Sequence, residues 1–248
     1  MMQQFLILWD YYHPHLLIIV CIVLFLVLGV VYILPDVFMK RVAQSLHRVF
    51  WFADTTEQVC SLTIDDAPSP ATMDILDVLK EHNVKATFFI LSENIPGNEH
   101  IVERMIEDGH EIANHLTQDR ASIRYTKDEF EHHLLACHSE LIQFQPKVKW
   151  LRPGSGWFNK DMVDVAEKHS YRIALGNVYP HDAQIKLERV NEYYLRKRTR
   201  AGSILIVHDR QWTIGVLEKA LPELTNQFRF VSLHELEAHH TPSSKKMK

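Results

Sequence analysis

The 248-residue sequence has only three cysteines, Cys21, Cys60 and Cys137, and their wide separation excludes a disulfide scaffold and the paired-cysteine knuckles of a zinc finger. It has no excess of cations. The 27 lysines and arginines are outnumbered by 31 aspartates and glutamates, so nothing in the charge balance provides for neutralising phosphates, and nucleic acid is not expected as a partner. There is also no Asn-x-Ser/Thr acceptor, no internal repeat and no low-complexity segment. No feature predicts a protein partner. What is present is a chain with 46% hydrophobic residues, long enough to bury one large core.

Charge and proline are missing from Leu16 to Leu34 as well. At about 1.5 Å rise per residue such a run spans roughly 28 Å of hydrocarbon, which predicts a single transmembrane helix held by membrane lipid. A cleaved signal peptide fits less well, because Asp10 precedes the run and bulky Tyr32, Ile33 and Leu34 close it. Lys40, Arg41 and Arg48 follow the run and no Lys or Arg precedes it, a bias that places the following chain in the cytoplasm. A polymer substrate outside the cell would need the opposite side. The expected organisation is a flank at 1–15, the transmembrane helix at 16–34, a linker at 35–56, a catalytic domain at 57–236 and a tail at 237–248.

Beyond the linker, short β-branched runs alternate with amphipathic stretches, the pattern of βα units and a parallel sheet. Strands are expected at Val59–Ile64, Lys85–Leu91, Glu111–Asn114, Val148–Leu151, Arg172–Leu175, Ser203–Val207 and Phe230–Leu233. Seven parallel strands predict a distorted (β/α) barrel. Helices are expected at Ala71–His82, after the capping-box start Thr126-x-x-Glu129, at Lys160–His169 and at Val190–Arg200. In such barrels the chemistry sits at the carboxyl ends of strands, which singles out Asp65-Asp66, His115, Arg152 and His208-Asp209.

Adjacent carboxylates at Asp65 and Asp66 repel unless a cation lies close, either a metal ion or an arginine. His115 and Asp119 are spaced so that one helical turn would aim both at the same ion. Asp66, His115 and Asp119 form a mixed N/O set suited to one divalent transition metal, zinc first, with cobalt or manganese as substitutes.

The ordered motifs resemble the NodB-like polysaccharide deacetylases of carbohydrate esterase family 4, over about residues 57 to 236. Thr63-Ile64-Asp65-Asp66 stands where the family has Thr-Phe-Asp-Asp, and the resemblance implies Asp65 as general base and Asp66 as metal ligand. Gly109-His110-Glu111-Ile112-Ala113-Asn114-His115 fits the segment leading to a metal histidine, after which Asp119 replaces the usual second one. Arg152-Pro153-Gly154-Ser155-Gly156 is similar to the Arg-x-Pro-aromatic-Gly motif. It implies that Arg152 orients Asp65 and that a backbone N–H of this loop meets the oxyanion. Asp182 stands where the family tethers its catalytic histidine, and Ile204-Leu205-Ile206-Val207-His208 implies His208 as general acid. Ser155, Trp157 and Tyr179 are the expected sugar contacts.

The resemblance thus implies a metal-dependent hydrolase that removes N-acetyl groups from N-acetylglucosamine-containing, chitin-like polysaccharide. Two alternatives stay open: a deacylase of a membrane-lipid-linked amino sugar, and a carbohydrate-binding relic without catalysis.

Overall fold

A computed structural model describes residues 15–27, 29 and 36–241. Contacts divide the chain into two compact units between Ser45 and Leu46. The first contains helical residues 15–27 and 29 and helix α1 (Asp36–Ser45). Side chains from Leu16 to Val27 are exposed, Phe25 the most at 76%. Among the described residues no helix is long and apolar enough to cross a membrane. The rest of the span expected at 16–34, positions 28 and 30–34, lies outside the described residues, as do 1–14 and 242–248.

The second unit is α/β, with strands β1 (Val59–Ala67), β2 (Ala86–Ile90), β3 (Glu111–Asn114), β4 (Trp150–Leu151), β5 (Arg172–Ile173), β6 (Ile204–His208) and β7 (Arg229–Phe230). Each overlaps an expected run, β7 only at Phe230, and β1 extends beyond its run to Ala67. All pairings are parallel, in the order β5-β4-β3-β2-β1-β6, and β7 pairs with the start of β1. Every residue of β1 and β2 is buried, as strands covered on both faces must be; β2 is apolar but for Thr87, whereas β1 also buries Ser61, Thr63, Asp65 and Asp66.

The sheet curls into an incomplete barrel. The segment after β5 runs to β6, where Val178 forms a single parallel bridge with Leu205. Gly176 makes that approach possible: a Cβ there would lie 2.6 Å from Ile206 Cγ1 and 2.7 Å from the Ile204 carbonyl oxygen.

The helices are α2 (Thr72–Glu81), α3 (Glu99–Glu107), α4 (Lys127–Leu141), α5 (Lys160–Lys168), α6 (Glu188–Arg198), α7 (Gln211–Leu224) and α8 (Leu233–Ala238). The capping box that opens α4 is formed: the Thr126 N–H donates to Glu129 at 2.8 Å, and the Glu129 N–H donates to Thr126 Oγ1 at 3.3 Å.

Parts of the stretches expected as linker and tail pack within this unit. Within the supposed linker, Phe50 pairs with Ala174 and stacks on Trp150 at 5.3 Å between ring centroids. Within the supposed tail, Arg172 donates to Glu237 at 2.8 Å and the Thr241 N–H donates to the Asp54 carbonyl at 3.0 Å. Leu233, expected to end the last strand, opens α8 instead, and its side chain is fully buried with that of Leu236.

Strand register decides where the chemistry gathers. Asp65 is the partner of His208, Ile90 of Asn114, and Asn114 of Leu151, so the carboxyl ends of β1, β6, β2, β3 and β4 finish level. The chain then turns sharply at Asp66 and Leu116, both with φ near +69°, a left-handed conformation that costs a non-glycine residue energy.

Candidate active site

Asp65, at the end of β1, is only 4% exposed, and its charge is compensated by an equally buried partner. Arg152, one residue beyond β4, donates from Nη1 to Asp65 Oδ1 at 2.5 Å and to Thr63 Oγ1 at 2.8 Å, and from Nε to the Ala174 carbonyl at 3.0 Å. Its guanidinium lies 4.0 Å over the Phe89 ring. Held on several sides, Arg152 fixes one oxygen of Asp65 and leaves Oδ2 for other chemistry.

Across the β1–β6 pair stands His208. Its Nδ1 lies 2.9 Å from Asp182 Oδ1, and its backbone N–H donates to Asp182 Oδ2 at 2.8 Å. A carboxylate only accepts, so Nδ1 carries a proton and the ring turns Nε2 outward. Burial opposes the imidazolium charge, but the Asp182 hydrogen bond and charge, reinforced by Asp65 and Asp66, outweigh it and bring the pKa to about 9. At neutral pH His208 is therefore a proton donor. Asp182 is itself buried, and its backbone carbonyl accepts from Trp212 Nε1 at 3.1 Å.

Asp66 points the other way. Its Oδ1 lies 3.3 Å from His115 Nε2. His115 Nδ1 is 2.7 Å from the Arg152 carbonyl oxygen, an acceptor, so Nδ1 carries a proton; burial opposes a second one, but the charges of Asp65 and Asp66 raise the pKa and favour a proton on Nε2 toward Asp66. Burial raises the Asp66 pKa, but the bond and charge of His115, with His208 and Arg210 behind it, hold the carboxyl well below the usual range. Asp66 Oδ2 accepts from Arg210 at 2.6 Å, a contact with no counterpart in the sequence patterns.

The two arginines change the reading of the Asp65-Asp66 pair: each adjacent carboxylate has its own guanidinium, Arg152 for one and Arg210 for the other. As for a metal, Asp66 and His115 offer two of the ligands a divalent ion takes, a carboxylate oxygen and, once Nε2 has lost its proton, an imidazole nitrogen oriented by the Nδ1 bond. Asp119 does not complete the set. Leu116 turns into the left-handed region directly after His115, so residues 117–120 form bends rather than a helical turn, and Asp119 is exposed. Among the described residues no group of three His, Cys, Asp or Glu side chains is gathered closely enough to hold a metal.

Asp119 does share a cavity with Asp66. A space of about 700 Å³ is lined by Asp66, Asp119 and Arg210 together with residues of the loops after β1 and β2, including Ser69, Glu93 and Asn94. Asp209 pins one wall: it accepts from the Ser69 N–H at 3.1 Å and Ser69 Oγ at 2.8 Å and bonds Thr72, while its own N–H donates to the Asp65 carbonyl at 2.8 Å. Of the expected sugar contacts, Tyr179 lies 5.8 Å from the His208 ring, Trp157 is 70% exposed, and none of Ser155, Trp157 and Tyr179 lines that cavity. In the loop after Arg152, the Gly154 N–H is bound to Ser122 and that of Gly156 to the Pro153 carbonyl. Among the described residues the Ser155 N–H alone of the three has no partner, and Ser155 takes a φ of 64°. Gly154 is required there, because a Cβ would meet the Arg120 carbonyl oxygen at 2.2 Å.

A family profile for polysaccharide deacetylases matches residues 52–174, which include Asp65, Asp66, His115 and Arg152. A chitooligosaccharide deacetylase from a Bradyrhizobium species is 30% identical over 60% of this chain and 69% of its own length. The chain belongs to the NodB-like polysaccharide deacetylases. A peptidoglycan-N-acetylglucosamine deacetylase of Bacillus cereus is 28% identical over 80% of this chain and 97% of its own. The fold is also that of a Bacillus anthracis CE4 family pseudoenzyme mutant with restored enzymatic activity, at a TM-score of 0.71 and 23% identity over 77% of this chain and 71% of the other.

Within a polysaccharide deacetylase the His208–Asp182 pair has a measurable signature. His208 has its pKa raised on folding, so it contributes stability that is fully present below about pH 6.5, its unfolded value, and is lost as pH rises through about 9. Turnover that depends on the imidazolium falls through the same pH. Asp182→Asn removes the largest favourable contribution and leaves burial opposed only by Asp65 and Asp66, so the alkaline limb of the pH–rate profile is expected to move to lower pH. An unmoved limb would separate His208 from the acid role.

Proposed function

We propose that this deacetylase hydrolyses the N-acetyl group of N-acetylglucosamine units in a glycan, and that it does so with a divalent metal, zinc in the first instance. The observation that carries this reading is the pairing of Asp65 with His208 across β1 and β6, one buried beside Arg152 and the other charged by Asp182. Asp65 Oδ2 takes a proton from the attacking water while Arg152 holds Oδ1 in place. His208 delivers the Nε2 proton to the amine that leaves, without which an amide nitrogen departs very poorly. The Ser155 N–H is the loop donor free to meet the oxyanion. A divalent ion held by Asp66 and His115 would lower the pKa of its water and polarise the amide carbonyl. Retention of all four acid, base and orienting groups in working contact speaks against a binding relic.

Acetate release from N-acetylglucosamine oligomers and from peptidoglycan, measured side by side, tests the reaction and ranks the substrates. The curated relatives named above act on each kind of glycan by their names, and their common unit is N-acetylglucosamine. No release from either substrate would count against the reading. Elemental analysis is expected to find about one zinc per chain in the wild type and close to none in Asp66→Ala. Equal metal content would remove Asp66 from the site.

The exposed apolar side chains of residues 16–27 support a second part of the proposal, that this segment holds the enzyme to a membrane. Removal of residues 1–34 is then expected to shift the chain from the membrane fraction to the soluble one with acetate release intact. Such an anchor would also keep a lipid-linked amino sugar within reach. An unchanged distribution would show that the apolar run is not the anchor.

A further inference from the structure

Asp66 is the expected metal ligand, and both of its oxygens are engaged, Oδ1 facing His115 Nε2 at 3.3 Å and Oδ2 accepting from Arg210 at 2.6 Å. The two guanidiniums at this site differ in how firmly they are held. The Arg152 side chain is 3% exposed and fixed by three acceptors; that of Arg210 is 31% exposed, borders the open cavity of about 700 Å³, and among the described residues is tied besides Asp66 only to the Asp209 carbonyl, at 2.9 Å. Arg152 belongs to the frame. Arg210 stands at the first residue before α7, outside any motif, with room to leave.

A dication on the Asp66–His115 pair would sit within a few ångströms of the Arg210 charge if the arginine stayed. Like charges that close repel strongly in a partly dry site. The carboxylate lone pairs on which an ion would draw are also committed to the guanidinium.

We propose that Arg210 is a displaceable stand-in for the metal: it neutralises Asp66 in the metal-free protein, and metal binding has to drive it out into the cavity. The inference rests on the metal reading given above. Arg210 then lowers the affinity for the ion and keeps the two adjacent carboxylates stable without it. Carboxylates on the same cavity wall, Glu93 and Asp119, suit a released guanidinium.

The test is zinc binding to the full chain, prepared metal-free, by competition with a chromophoric chelator, for the wild type, Arg210→Met and Arg210→Lys. Arg210→Met is expected to bind zinc on the order of ten- to a hundredfold more tightly, the usual scale for a group bonded to a metal ligand, here with reversed sign. Arg210→Lys, which keeps the charge, is expected to stay nearer the wild type. Melting temperatures give an independent readout that also serves a weakened variant: metal-free Arg210→Met should melt below the wild type and gain more from saturating zinc. Equal or weaker zinc binding by Arg210→Met overturns the proposal, because Arg210 is then a bystander or a support for Asp66. Failure of the wild type and both variants to bind zinc, or zinc binding that survives Asp66→Ala, has a different meaning: it removes the metal site itself, and the proposal with it.

Discussion

Asp65→Asn and His208→Ala are each expected to lower turnover by about two to four orders of magnitude, the usual worth of one positioned proton-transfer group. Zinc content should stay near the wild-type value in both, since neither side chain faces the Asp66–His115 pair as a ligand. The losses are not expected to multiply. Once Asp65 cannot take the proton from water, the attack no longer reaches the stage at which His208 must protonate the leaving amine. The double variant should therefore sit within roughly tenfold of the worse single one. Steady-state acetate release on one N-acetylglucosamine oligomer, with metal content measured on the same samples, decides the matter. Full activity in Asp65→Asn would end the base assignment, and a strictly multiplicative double variant would mean that the two groups serve separate steps.

Arg152→Leu carries the largest expected cost in stability, about 3–5 kcal/mol, because it strands the Asp65 carboxylate in a strand whose residues are all buried. The pair as a whole is a different matter. Taking two charges out of water is expensive, so replacing both by apolar groups, in Asp65→Leu/Arg152→Leu, is expected to restore much of what the single change removes. Urea unfolding of the four proteins in the cycle measures the coupling. Catalysis should be lost in all three variants. If the double variant is as unstable as Arg152→Leu, the guanidinium contributes mainly through Phe89, Thr63 and the Ala174 carbonyl rather than through Asp65.

The strands were legible from short β-branched, largely apolar runs, and the meeting of Asp65 with His208 was legible because ionisable residues follow those runs at the strand ends. Other features were hidden for physical reasons. Helix α7 contains Gly215 and Pro222, two residues that interrupt a helical pattern, and its stability comes from burial of Val216, Leu217, Ala220, Leu221 and Leu224 rather than from propensity. Asp119 was misplaced because a spacing of one helical turn says nothing about the turn itself, and Leu116 takes a left-handed conformation that no helix admits. Arg210 was invisible for a plainer reason. It meets Asp66 from 144 positions away, and charge conflict in a sequence shows that a cation is needed without showing which.

The level finish of β1 and β6 ties Asp65 and His208, the proposed proton acceptor and donor, together through the ladder of the sheet, with no loop between them. The surrounding loops are free to vary by comparison: those after β3, β4 and β5 carry the departures from the family's motifs. A substitution in those loops can then alter what is bound without moving Asp65 against His208.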